Sequence, residues 1–186
     1  MIVFLKRLSS IRMLLRAFSI ALYLSLTTTV VQAQLNTSHQ SGSVVFAGQH
    51  AGMNFDGKFE RWQATLVLPP ESNPIITATF YVNSAKTGDS IYDSTLPEFD
   101  WFDVENHPLG KFVSTMVTAT EGGYQVTGDL TLKDITQPVS FMLADNGSQL
   151  NASFDINRLV YKIGLGSDPD AEWVSKTISI SVAINK

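Results

Sequence analysis

The stretch Tyr124–Leu132, YQVTGDLTL, decides the fold class. Tyr124, Val126, Gly128, Leu130 and Leu132 fall on one side of an extended chain, and Gln125, Thr127, Asp129 and Thr131 on the other. A period of two is the signature of a strand with one buried face. Working outward, the same alternation runs through SVVFAGQH (Val44, Phe46, His50), ITATFYVN (Ile76, Ala78, Phe80, Val82), KFVSTMVT (Phe112, Ser114, Met116) and PVSFML (Val139, Phe141, Leu143). It returns in Leu150, Ala152, Phe154, Ile156 and in Ile178, Ile180, Val182, Ile184; with KFERWQATLVL these segments make eight predicted strands. Asp56-Gly57, Pro69-Pro70, Gly122-Gly123, Asn146-Gly147 and the run Gly164 to Pro169 supply the turn signals between them.

No window of helical length carries a sustained apolar stripe at three and four spacing, so the class is all-β. Eight antiparallel strands form either a sandwich or a closed barrel, and closure avoids two exposed edges. The connection over residues 84–108 is too long for a hairpin and predicts a short helix or loop lid over one opening.

Residues 1–33 read as an export signal rather than as fold. Lys6, Arg7, Arg12 and Arg16 precede an apolar run from Ala17 to Val31, and Val31-Gln32-Ala33 offers small residues for cleavage. That run is shorter than the roughly 20 residues of a membrane span. A cleaved leader predicts a periplasmic product, residues 34–186, of one domain. It would keep nine Lys and Arg, scattered, against 17 Asp and Glu. Nucleic acid is thereby excluded as an expected partner. The chain has no cysteine, so disulfides and thiolate chemistry are excluded as well.

The densest chemistry lies in DWFDVENHP, Asp100–Pro108. Trp101 and Phe102 are expected to plug a barrel end as a lid, with Asp100, Asp103 and Glu105 facing solvent or capping turns. His39, His50 and His107 show no metal-ligand spacing, and no Gly-x-Ser-x-Gly elbow is present. GLGSDPD lacks the lysine and helix of a phosphate loop. Neither a catalytic set nor a metal site is expected. His50 and Arg158 remain as candidates for holding a polar group at the barrel mouth, Arg158 either there or in a surface salt bridge.

The order FAGQHAG, GKFERW, NSAKTGDSIYDSTLPEFDWFDVENHP, KFVST, YQVTGDLTLKDITQPVSF, DINRLVYKIGLG resembles the YceI-like family of periplasmic, lipocalin-like proteins across the whole chain after the leader. The resemblance implies an antiparallel barrel around an apolar tunnel that binds a polyisoprenoid, either a polyprenyl phosphate or a quinone tail. Phe46, Phe59, Phe80, Phe112, Met116, Tyr124, Phe141, Phe154 and Ile180 are then the candidate lining, although the same side chains would equally serve as a filled core. The chain departs from the family pattern at Ser41 (often histidine), Tyr92 (often basic), His107 (tyrosine) and Lys162 (glycine). The implied function is an exported binding or carrier protein with no cofactor beyond its lipid ligand. Two rivals are an enzyme using His50, Arg158 and Asp100 or Asp103 on such a lipid, and a module whose acidic loop meets a membrane redox partner. A second copy of the chain is the other candidate partner.

Overall fold

The computed structural model describes residues 33–186; the predicted leader up to Gln32 lies outside the described residues. These fold into one antiparallel sheet of eleven strands that curls on itself as a half-barrel. The strands are β1 (Leu35–Ser38), β2 (Gly42–His50), β3 (Met53–Phe59), β4 (Trp62–Val67), β5 (Ile75–Tyr81), β6 (Ala85–Lys86), β7 (Leu109–Thr120), β8 (Gly123–Leu132), β9 (Ile135–Asp145), β10 (Gln149–Asn157) and β11 (Thr177–Asn185). Their spatial order is β1-β4-β5-β7-β8-β9-β10-β11-β2-β3-β6.

All eight predicted strands are present, and the count of eight is corrected by three additions: β1, β3 and β6. Lys58–Leu68, read as one strand, is broken at Glu60-Arg61 into the end of β3 and all of β4. Asp56-Gly57, read as a turn, lies inside β3; the chain reverses instead at Ala51 and Gly52, both at positive φ. No ladder joins β3 to β4. Short β1 pairs with β4 at that seam, and β6 pairs with β3.

The predicted crossover does carry a short helix, α1 (Ser90–Thr95), capped by Asp89, whose carboxylate accepts the backbone N–H groups of Ile91 and Tyr92. The crossover then closes over the sheet: Phe102 is buried with its ring 6.1 Å from that of Phe59, and the Val82 amide donates to the Pro108 carbonyl.

Parity along β7 does not hold. The register shifts between Ser114 and Met116, a β-bulge, so Ser114 and Val117 are both inside while Met116 is 54 % exposed. The expectation that Met116 lines the interior is therefore corrected: the extra residue turned it outward.

Candidate functional site

The inner face of the sheet does not close into solid packing. It surrounds an apolar cavity of about 170 Å³. Well-packed interiors leave few voids larger than a water molecule, so this one is a hollow sleeve. Phe46, Phe59, Phe80, Phe112, Phe141, Phe154 and Ile180 all line it. Tyr124 shares their face and packs against the core, but it is not part of the lining. Phe141 and Phe154 stack at 4.8 Å with an interplanar angle of 14°. Phe59 bridges Phe46 and Phe80, with ring centroids 5.4 and 5.0 Å away.

Glycines in the strands make the room. Phe46 pairs across β2 and β3 with Gly57, Phe55 with Gly48, and Phe80 across β5 and β7 with Gly110. In each pair the ring occupies space that a glycine side chain would fill, and Phe112 lies in the same way over Gly128. The rings are thus laid along the wall instead of across the lumen.

The residues of DWFDVENHP build one end of the sleeve. The Asp100 carboxylate accepts the Gly166 amide (2.7 Å), the Ser167 amide (2.8 Å) and the Ser167 hydroxyl (2.6 Å), which ties the crossover to the loop before β11. Burial alone would raise its pKa, but these three donors hold it below the usual carboxylate value. Trp101 lines the cavity, and the Arg158 guanidinium lies over its ring at 5.7 Å. Asp103, expected to face solvent or cap a turn, is buried and accepts the Asn106 side-chain N–H three residues on; His107 sits between it (3.6 Å) and Asp134 (3.0 Å). Only Glu105 of these acids is left exposed.

Arg158 is neither a mouth residue with free donors nor a surface ion pair. It is 2 % exposed, and all of its N–H groups are taken. Nε donates to the Ser175 carbonyl, Nη1 to those of Ile163 and Gly164, and Nη2 to the Val174 carbonyl and, at 2.6 Å, to Asp168 Oδ2. Asp168, also buried, accepts the amides of Glu172, Trp173 and Val174. Together the pair fixes the loop from Ile163 to Val174. The proposed convergence of His50, Arg158 and an acid on one substrate therefore lacks its cation.

His50 stands elsewhere, at the end of β2, where its Nδ1 lies 2.6 Å from the Tyr92 hydroxyl and its ring meets Tyr92 edge-on. Both residues border a second hollow whose walls Phe55, Leu96, Trp101 and Val174 also wall the sleeve. Sequence reasoning missed Phe55, Tyr92 and Val174. Phe55 adjoined a false turn signal, and the other two lie in connections without alternation. Among the described residues no group of three or more His, Asp or Glu is placed to hold a metal ion.

A sequence description of the YceI-like domain matches residues 34–185. The chain belongs to the YceI-like domain family. Among its relatives is a UPF0312 protein of Pseudomonas savastanoi pv. phaseolicola, 35% identical over 117 residues, a stretch covering 58% of either chain. Another, from Photorhabdus laumondii, is 34% identical over 104 residues, 54% of either chain. The match thus spans little more than half the length of these YceI-like relatives.

Solved structures with the same fold include Burkholderia cenocepacia BcnA (TM-score 0.70, 24% identity, 78% of this chain and 96% of that one). A Saccharophagus degradans domain described as polyisoprenoid binding also matches (TM-score 0.61, 11% identity, 83% and 97%). At these identities the likeness is one of fold.

Proposed function

We propose that this YceI-like chain is an exported, non-enzymatic carrier that takes the tail of an isoprenoid lipid into its apolar sleeve. One observation carries the reading: the interior is hollow, and apart from Arg158, whose donors are all satisfied, its walls are apolar side chains. A void of this chemistry favours a hydrocarbon over water, since each CH₂ moved out of water contributes roughly 0.8 kcal/mol. Aromatic rings held flat by glycines leave a smooth tube suited to a long branched chain. The description of the Saccharophagus degradans domain as polyisoprenoid binding supports the same ligand class. Export to the periplasm rests on the basic and apolar leader.

The full-length protein, produced in a bacterium and recovered from the periplasm, tests the reading. Organic extraction followed by mass spectrometry should yield a prenyl lipid in near-stoichiometric amount, and the isolated chain should begin near Gln34. Recovery of only bulk phospholipid, or of the protein solely in the cytoplasm with its leader intact, would contradict it.

A further inference from the structure

Among the described residues the four most exposed large apolar side chains are Phe99, Ile91, Met53 and Trp173, and the last three gather around His50. Met53, 66 % exposed, pairs with His50 across β2 and β3, just past the turn at Ala51 and Gly52. Trp173, 62 % exposed, accepts the Ala51 amide on its carbonyl at 2.8 Å, and the next residue, Val174, bridges to His50. Ile91, 70 % exposed, precedes Tyr92, whose hydroxyl meets His50 Nδ1, and it lines the second hollow. Phe99 is the exception: the Lys133 ammonium stands over its ring at 5.8 Å.

A firm base holds these three side chains in water. The Trp173 amide donates to Asp168 Oδ1 at 3.2 Å, and Asp168 is locked to Arg158. Asp89 caps the helix that carries Ile91. Contiguous apolar surface that a fold keeps exposed marks an interaction site.

The position of the rim indicates its partner. The hollow that it borders shares Phe55, Leu96, Trp101 and Val174 with the sleeve. A prenyl tail resides in a bilayer, and drawing it through water costs about fourfold in equilibrium for each CH₂ exposed. If the rim sits in the bilayer surface, the tail moves from acyl chains into the sleeve without that exposure. Tryptophan favours the headgroup level, and isoleucine and methionine suit the acyl boundary just below it.

Charge narrows the kind of surface. Asp89, Asp170 and Glu172 are exposed beside the rim against exposed Lys176, while Lys86 faces Asp93 at 3.9 Å. An anionic lipid surface is repelled by this excess of acid, and a zwitterionic one is not.

We propose that Met53, Ile91 and Trp173 form a docking rim that seats the mouth of the sleeve on a zwitterionic phospholipid surface. The proposal rests on the carrier reading and adds the place where the sleeve is loaded and emptied.

Flotation of the protein recovered from the periplasm with phosphatidylcholine vesicles free of prenyl lipid tests it. The protein should float with the vesicles, and replacing part of the lipid by phosphatidylglycerol should weaken binding severalfold, an effect that added salt reverses. Ile91→Ser and Trp173→Ser should each lower the partition coefficient about tenfold, the scale of withdrawing one large apolar side chain from the acyl boundary, at unchanged Tm. Met116→Ser, on the outer face of β7, should leave it unchanged. Brominated phosphatidylcholine should quench indole fluorescence in the unaltered protein and far less in Trp173→Phe. Absence of flotation, stronger binding to phosphatidylglycerol, or equal partitioning of all three serine variants overturns the proposal. So does a concentration-dependent dimer, read by sedimentation, that Ile91→Ser abolishes, since a second copy then covers the rim. If flotation fails while prenyl lipid is still recovered from the protein, this inference falls alone; if neither is seen, the carrier reading falls with it.

Discussion

Phe80 and Gly110 face each other across β5 and β7, and the phenyl ring lies where a Gly110 side chain would begin. The sleeve stays open because this relationship recurs at Phe46 with Gly57 and at Phe112 with Gly128. Gly110→Ala should therefore push the Phe80 ring toward the lumen, destabilise the fold by about 1–3 kcal/mol and reduce prenyl uptake. Urea unfolding and lipid titration of Gly110→Ala and of Gly110→Ala/Phe80→Ala check this. The double variant should lose less stability than the separate effects add up to, because the clash is gone.

A hollow interior tolerates filling. Ala64 and Ala78 pair on the inner faces of β4 and β5, and both line the cavity. Ala64→Phe is expected to cost less than about 1.5 kcal/mol, below what overpacking typically costs a filled core. The same variant should bind prenyl lipid at least about tenfold more weakly, the result of losing the space for one or two CH₂ groups. A thermal shift assay paired with lipid titration separates the two effects.

The Arg158–Asp168 pair holds the loop from Ile163 to Val174. Asp168→Asn leaves a buried guanidinium without its counter-charge and should cost about 3–5 kcal/mol, with a fall in Tm on the order of 10 °C. Prenyl-lipid binding should survive in the fraction that remains folded. A loss of prenyl-lipid binding at unchanged Tm would instead assign Arg158 to the ligand.

Acid should loosen the same end of the barrel. Burial works to raise the pKa of Asp100 and Asp168, but it is outweighed for Asp100 by the Ser167 hydroxyl and the Gly166 and Ser167 amides, and for Asp168 by three amides and Arg158. Both are depressed on folding, so their contribution is full above the ordinary carboxylate value near 3.9 and is lost as pH falls through the lower folded values. Stability should be flat near neutrality and decline below about pH 4. The advantage of the unaltered protein over Asp100→Asn should narrow over the same window, as chemical denaturation at stepped pH will show.

Much of the sheet was legible because alternation is local: each β-strand reports its buried face through its own neighbours. Legibility failed where a residue's role is set from across the sheet. Met116 inherited its parity from Phe112 and Ser114, and nothing nearby announces the bulge that cancels it. Gly57 beside Asp56 carries an ordinary turn signal, while its actual task, yielding space to Phe46, belongs to the neighbouring strand. Arg158 finds its acceptors between Ile163 and Ser175 in a loop without periodicity. The side chains that line a sleeve are also those that fill a core, so hollowness itself appeared only in three dimensions.

The central claim is that the interior holds a lipid tail, and a crystal structure of the protein as exported tests it most directly. The account predicts continuous density along the barrel axis, passing Phe141 and Phe112. Side chains meeting across the middle, with no such density after soaking with a prenylated quinone, would contradict it.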